Sequence, residues 1–315
     1  MSGTKDVKKV YGNTLQELMQ ENKDIVVVDI DLMRIAGSDD IKKIFPDCHV
    51  NAGIAEQNAV GIAAGFASMG KCAFVSTFCG FLGTRASDQC LDTVCYNELD
   101  VKLLGTYAGV SSGINGGTHI SIADLAAFRA MPGMKIADIS DGTEMALAIR
   151  AAVATDGPVY IRVPKGPLPD LFEEDYTFQW GKGTVLTLAP TSAAGKKAAI
   201  ITSGITTASG KEAARMLQEE GIAVTHVHMA SVKPIDEDLL HQIAGTHDVL
   251  ITVDNHSVIG GLGAAVCESI AAKTPKPVIR LGVEDVFCEG MTEQELMARH
   301  GIDAQGICKA VKEAV

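Results

Sequence analysis

Two rhythms of apolar residues run along this chain. Short continuous apolar runs, Ile25–Ile30, Cys72–Ser76, Val101–Tyr107, Met134–Ile139 and Val159–Val163, have no polar face, the pattern of strands covered on both sides. Between them apolar positions recur at helical spacing, beginning with an amphipathic stretch from Tyr11 to Gln20. Strands alternating with helices predict an α/β fold built on a doubly wound, mostly parallel sheet. From 166 to 195 the periodicity fails, with Pro167, Pro169, Pro190, Gly181, Gly183 and Gly195 and an acidic trio at 173–175. This stretch reads as a linker with a short hairpin around the only tryptophan, Trp180. Alternation then resumes with strands at Ala198–Thr202, Ala223–His228, Val249–Asp254 and Pro277–Leu281. Helices are expected at about 206–220, 235–245 and 260–272, and a last one near Asp303–Ala314. The expected organisation is two α/β domains, 1–165 and 196–315, joined by 166–195.

The 315 residues suffice for two separate cores. A net charge of −12 with no basic run argues against a nucleic-acid partner, because phosphate contacts need clustered Lys and Arg. Residues 1–13 lack the apolar core of a secretory signal, and no apolar run approaches the roughly 18 residues that span a membrane. A soluble, cytosolic protein is expected. Eight cysteines are scattered with no Cys-x-x-Cys pair, so they read as reduced packing residues, Cys79 between Phe78 and Phe81 included. His226, His228, His247 and His256 read as lying on separate strands and loops without ligand spacing, and no metal is assigned to them. The glycines of Val258–Gly263 read as allowing close helix packing.

The most informative stretch is Asn51–Gly70, which contains one acid, Glu56, ahead of a helical repeat apolar nearly all round. Such a helix should be buried, with Glu56 in its first turn. There the helix N-terminus favours the ionised carboxylate and a dry site favours the neutral acid. In a doubly wound sheet, ligands lie beyond the carboxyl ends of the strands. The residues at those ends are Asp29 and Asp31, then Thr77, Phe78 and Phe81, then Tyr107 to His119, then Pro164 and Lys165.

Gly-Ile-Ala-Glu-Gln-Asn at 53–58, Phe-Val-Ser-Thr-Phe-Cys-Gly-Phe at 74–81, Arg-Ala-Ser-Asp-Gln at 85–89, Gly-Gly-Thr-His at 116–119 and Phe-Arg-Ala-Met-Pro at 128–132 occur in this order. Together they resemble the pyrimidine-binding domain of transketolases, and the likeness continues into the transketolase C-terminal domain. The resemblance implies thiamine diphosphate as cofactor, with Glu56 bonding a ring nitrogen, Phe78 and Phe81 walling the aminopyrimidine, and Asp31 nearby. It implies that His119 contacts a substrate oxygen, and that a two-carbon ketol unit is moved from a ketose to an aldose. Asp29 is equally a capping or turn residue. Tyr107 stands where the family has a histidine, and Asn115 where it has an acid. Near the N-terminus Tyr11-Gly12 replaces an expected arginine, so Arg34 and Lys165 are the candidates for holding a charged substrate. The Gly-Asp-Gly…Asn segment that holds Mg²⁺ in this superfamily is not found. The resemblance is therefore to the C-terminal subunit of a split transketolase, whose Mg²⁺ ligands would lie on a separate diphosphate-binding subunit, with α2β2 the expected assembly. Rival readings are the beta subunit of a 2-oxo-acid dehydrogenase decarboxylase component, a fragment of 1-deoxyxylulose-5-phosphate synthase, and a scaffold subunit that lost the chemistry.

Overall fold

The computed structural model describes residues 3–190 and 195–315. The first half contributes β1 (Thr4–Asp6), β2 (Ile25–Asp29), β3 (His49–Asn51), β4 (Cys72–Phe78), β5 (Val101–Thr106), β6 (Lys135–Asp138) and β7 (Val159–Val163). The middle segment adds β8 (Pro167–Pro169) and β9 (Thr184–Thr187). The second half adds β10 (Ala198–Thr202), β11 (Val224–His228), β12 (Ser231–Lys233), β13 (Val249–Ser257) and β14 (Val278–Val283). A seven-stranded sheet runs β12-β6-β7-β5-β4-β2-β3, and a five-stranded sheet runs β14-β13-β10-β11-β9. Within the larger sheet only the β12 pairing is antiparallel, and within the smaller only that of β9. The continuous apolar runs are buried along their whole length in β2, β4, β5, β7 and β10.

From β2 the chain passes to β3 on one side, whereas β4 leads on to β5 on the other. The crevice outside the carboxyl ends of β2 and β4 is therefore the topological switch point, where α/β sheets bind ligands.

Three expectations are corrected. No strand flanks Trp180, so there is no hairpin there; β8 pairs with β1, β9 pairs with β11, and the indole donates to Thr155 Oγ1 at 3.0 Å. The first helix begins at Val7 rather than Tyr11, because Asp6 caps it by accepting from the Lys8 amide. The helix Glu56–Ser68 is not buried all round: Ala59, Val60, Ala63, Ala64 and Ala67 face the core, while Gln57, Gly61, Gly65 and Ser68 are exposed. The apolar count misled because the glycines, which add no side chain to bury, line the outer face. The glycines after Val258 do permit close packing, since a Cβ on Gly261 would lie 2.1 Å from Asp254 Oδ2.

Candidate active site

Glu56 is the first residue of its helix and only 7% exposed. Its Oε1 accepts from Arg85 Nη1 at 2.9 Å. Arg85 lies one turn after Phe81, on the same helical face, and its guanidinium carbon sits 3.7 Å from the centre of the Phe81 ring. A flat, hydrogen-bonding cation thus fills the space between a shielded carboxylate and an aromatic face.

Phe78, at the end of β4, is the hub of an aromatic cluster. Its ring centre is 5.2 Å from Phe81, 4.9 Å from Tyr107 and 5.6 Å from His119, and Phe81 is 5.3 Å from His119. The edge-on arrangements are those aromatic rings favour. His119 is half-buried, and its Nδ1 shares a hydrogen bond with Thr118 Oγ1 at 2.9 Å. Tyr107 adopts φ +59°, a left-handed conformation that costs a non-glycine residue about 1 kcal/mol or more. This turns its ring between Phe78 and Lys165, whose Nζ is 5.1 Å from the ring centre. Burial pushes the Tyr107 hydroxyl above its ordinary pKa, so the phenol stays neutral and can donate.

Beyond Tyr107 opens a cavity of about 750 Å³ lined by Lys8, Tyr11, Arg34, Tyr107 and Lys165 over an apolar floor. Arg34 and Lys165, distant in sequence, thus line one space, and Lys8 joins them. Asp31 is exposed at φ +69°, held by Asn51, which accepts from the Asp31 amide at 3.0 Å and donates to Asp31 Oδ1 at 3.0 Å. Asp29 is withdrawn from the crevice: fully buried, it accepts from Ser38 Oγ at 2.8 and 2.9 Å and pairs with His49 Nε2 at 2.8 Å. Asn115 is exposed and donates to Ser112 Oγ at 3.3 Å, outside the aromatic cluster. Cys79 is fully buried, and burial raises its thiol pKa, as a packing residue's would be.

The histidine reading needs one correction. His226 and His228 share β11, where His226 Nε2 meets Thr202 Oγ1 at 2.8 Å and His228 Nε2 meets Glu144 Oε1 at 2.7 Å. Among the described residues no group of three or more His, Cys, Asp or Glu side chains could hold a metal ion. Sequence reasoning missed Arg85, Lys8 and Asn51. Arg85 had a usable signal, four residues after Phe81, whereas the other two are brought in only by tertiary packing.

This geometry can be set beside known proteins. Residues 4–170 match the family model for the transketolase pyrimidine-binding domain, and residues 188–307 match that for the transketolase C-terminal domain. The chain belongs to the transketolase family. It is 37% identical over 309 residues to one of the two subunits of the apulose-4-phosphate transketolase of Phocaeicola vulgatus, covering 98% of this chain and 97% of that one. It is 34% identical over 308 residues to a 6-deoxy-6-sulfo-D-fructose transketolase subunit of a Clostridium species, covering 98% and 94%. A solved structure described as a split gene transketolase, inactive beta4 tetramer, superposes with a TM-score of 0.87 at 40% identity, covering 99% and 98%. Within the family, then, this chain is of the C-terminal subunit kind found in split transketolases.

Proposed function

We propose that this chain is the pyrimidine-binding subunit of a two-polypeptide transketolase, which moves a two-carbon ketol unit from a ketose donor to an aldose acceptor. The observation that carries the reading is the flat slot between Glu56 and Phe81. Arg85 shows that a planar group can donate to that carboxylate and lie against that ring at once, which is what an aminopyrimidine requires. The slot therefore fits thiamine diphosphate, which when bound supplies a carbon nucleophile and electron sink for breaking the bond beside a ketose carbonyl.

The chain's own residues do the rest. Glu56 holds the ring nitrogen by a hydrogen bond and shares a proton with it. Phe81 and Phe78 exclude water from the ring face. His119, beside both rings, exchanges a proton with a substrate hydroxyl oxygen, and Asn115 bonds a further hydroxyl from the same loop. Asp31, held by Asn51, flanks the cofactor. Lys165 and Arg34 hold the charged end of the sugar in the cavity past Tyr107. The two named relatives act on a sugar carrying a phosphate and on one carrying a sulfonate, and a cavity lined by three cations suits either. The diphosphate and its Mg²⁺ fall to a separate subunit, in an α2β2 assembly formed in the cytoplasm.

The test is reconstitution with a diphosphate-binding subunit, thiamine diphosphate and Mg²⁺. The chain alone is expected to give no turnover, and the pair to give new sugar from a ketose and an aldose. Glu56→Ala should lower kcat on the order of 10²-fold or more. Robust turnover by the lone chain, acyl transfer to a lipoyl acceptor instead of sugar exchange, or full activity of the Glu56 variant would each overturn the reading.

A further inference from the structure

None of the candidate catalytic or binding residues lies in the C-terminal half, yet that half grips the loop that carries Asn115 and His119. The loop leaves β5 as a short 3₁₀ segment, Gly109–Asn115, and its backbone bonds run mainly within itself, such as Gly116 N–H to the Gly113 carbonyl and His119 N–H to the Gly116 carbonyl. Its placement must be set from outside. Asn255, on β13 and only 1% exposed, donates from Nδ2 to the Ala108 carbonyl at 3.0 Å, and its Oδ1 accepts from the Val110 amide at 2.8 Å. Between these bonds Gly109 has φ +51°, and a Cβ there would stand 2.2 Å from the Asn255 carbonyl oxygen, so loop and strand meet backbone to backbone. That same carbonyl accepts from Arg162 Nη2 at 2.6 Å, and Arg162, fully buried on β7, is paired with Asp124 at 2.7 Å. The clamp is thus anchored in both sheets.

The far end of the loop is buttressed by the same half. A Cβ on Gly117 would lie 2.9 Å from the Cys288 carbonyl, one on Gly113 3.3 Å from the Met291 carbonyl, and one on Gly290 3.1 Å from the Ile114 carbonyl. Glu293 follows, and its carboxyl senses the Lys165 charge.

We infer that the C-terminal half is a specificity element of the site: through Asn255 at one end and Cys288–Met291 at the other, it positions the loop that presents Asn115 and His119 to the sugar. Asn255 is a positioning residue, acting through the loop rather than on substrate. Site residues carried on a loop are only as well placed as the shell behind them. The inference rests on the ketol-transfer reading for its kinetic arm alone.

The experiment compares Asn255→Ala and Gly290→Ala with the natural chain, the second variant being at an exposed position that folding tolerates. Amide exchange of the peptide spanning 106–116 is followed in the subunit. In the reconstituted enzyme, sugar KM and kcat are measured beside thiamine diphosphate affinity by calorimetry. Asn255→Ala should speed exchange at Val110 about tenfold or more. It should raise sugar KM about tenfold, with a smaller fall in kcat and cofactor affinity within about twofold. Gly290→Ala, which presses on the Ile114 carbonyl, should raise sugar KM about threefold and leave cofactor affinity alone. Unchanged exchange at Val110, unchanged sugar KM in Gly290→Ala, or sugar and cofactor binding weakening in step would overturn the inference. If Asn255→Ala does not fold, Gly290→Ala decides it. If the natural pair performs no ketol transfer, the proposed function fails while the exchange arm still decides whether the clamp exists.

Discussion

Arg85 fills, in the free subunit, the place the proposed function reserves for a ring. Glu56 cannot bond a pyrimidine nitrogen while Oε1 holds the guanidinium at 2.9 Å, and a ring cannot stack on Phe81 while the same group covers it. Both contacts are weak enough to exchange: Arg85 is exposed, so its ion pair contributes about 1 kcal/mol or less and its stacking a similar amount. Arg85→Met is therefore expected to lower, several-fold, the thiamine diphosphate concentration that half-saturates the reconstituted enzyme. A rise of tenfold or more would show that Arg85 grips cofactor or substrate instead of vacating the slot. The site was legible in sequence where a residue belongs to a short local motif at a strand end, as Phe78, Phe81 and His119 do, or opens a helix, as Glu56 does. It was illegible where a role depends on what the fold brings alongside. The sequence marks Asp29 and Asp31 alike, and only the arrival of Ser38 and His49 at Asp29 and of Asn51 at Asp31 separates them.

At the scale of elements, the long strands were readable because burial on both faces forces a continuous apolar run. β8, β9 and β12, of three or four residues each, were not. Each exists only through a partner distant in sequence, β1, β11 and β6 respectively, so no local period announces it. The middle segment is accordingly tied down rather than free, and Asp141 is one of its anchors. Asp141 Oδ1 caps the helix Gly142–Val153 by accepting from the Glu144 amide at 2.8 Å, while Oδ2 accepts from the amides of Leu171 and Phe172, each at 2.9 Å. Removing a cap alone costs about 1 kcal/mol. Asp141→Ala also strands two amides, one of them on buried Phe172, so a loss of about 2–4 kcal/mol is expected. A denaturant titration reads this as a lower midpoint at unchanged slope, and a loss confined to that of a cap would mean the middle segment is not held there.

At the scale of the whole molecule, the two halves are joined through charge as well as through β12. Arg162 lies fully buried between Asp124 and Asp138, and Asp138 in turn accepts from Ser203 Oγ of the second half at 2.8 Å. Asp254, 2% exposed on β13, is the uncompensated member of this group, and its Oδ1 has no hydrogen-bond partner. Burial raises its pKa to about 7; Arg162 and the amides of Gly263 and Leu262 pull it down, and Asp138 pushes it up. An unfolded aspartate titrates near 3.9, so between about pH 4 and pH 7 the folded chain holds a proton that the unfolded chain has released. Stability from this group is then complete below about pH 4, declines as pH rises towards 7, and is lacking above it. Asp254→Asn keeps the shape and removes the titration. It should raise the melting temperature by several degrees at pH 8, a gain of about 2–4 kcal/mol, and the gain should shrink to nothing by pH 4. His226 and His256, whose pKa values burial lowers to about 3 and about 4, work in the opposite direction, losing stability as pH falls below about 6.5. They are present in both chains, so the difference between the two melting curves isolates the carboxyl. A difference that stays constant from pH 4 to pH 8 would show that the asparagine merely packs better, and that the protonated Asp254 is not part of what joins the halves.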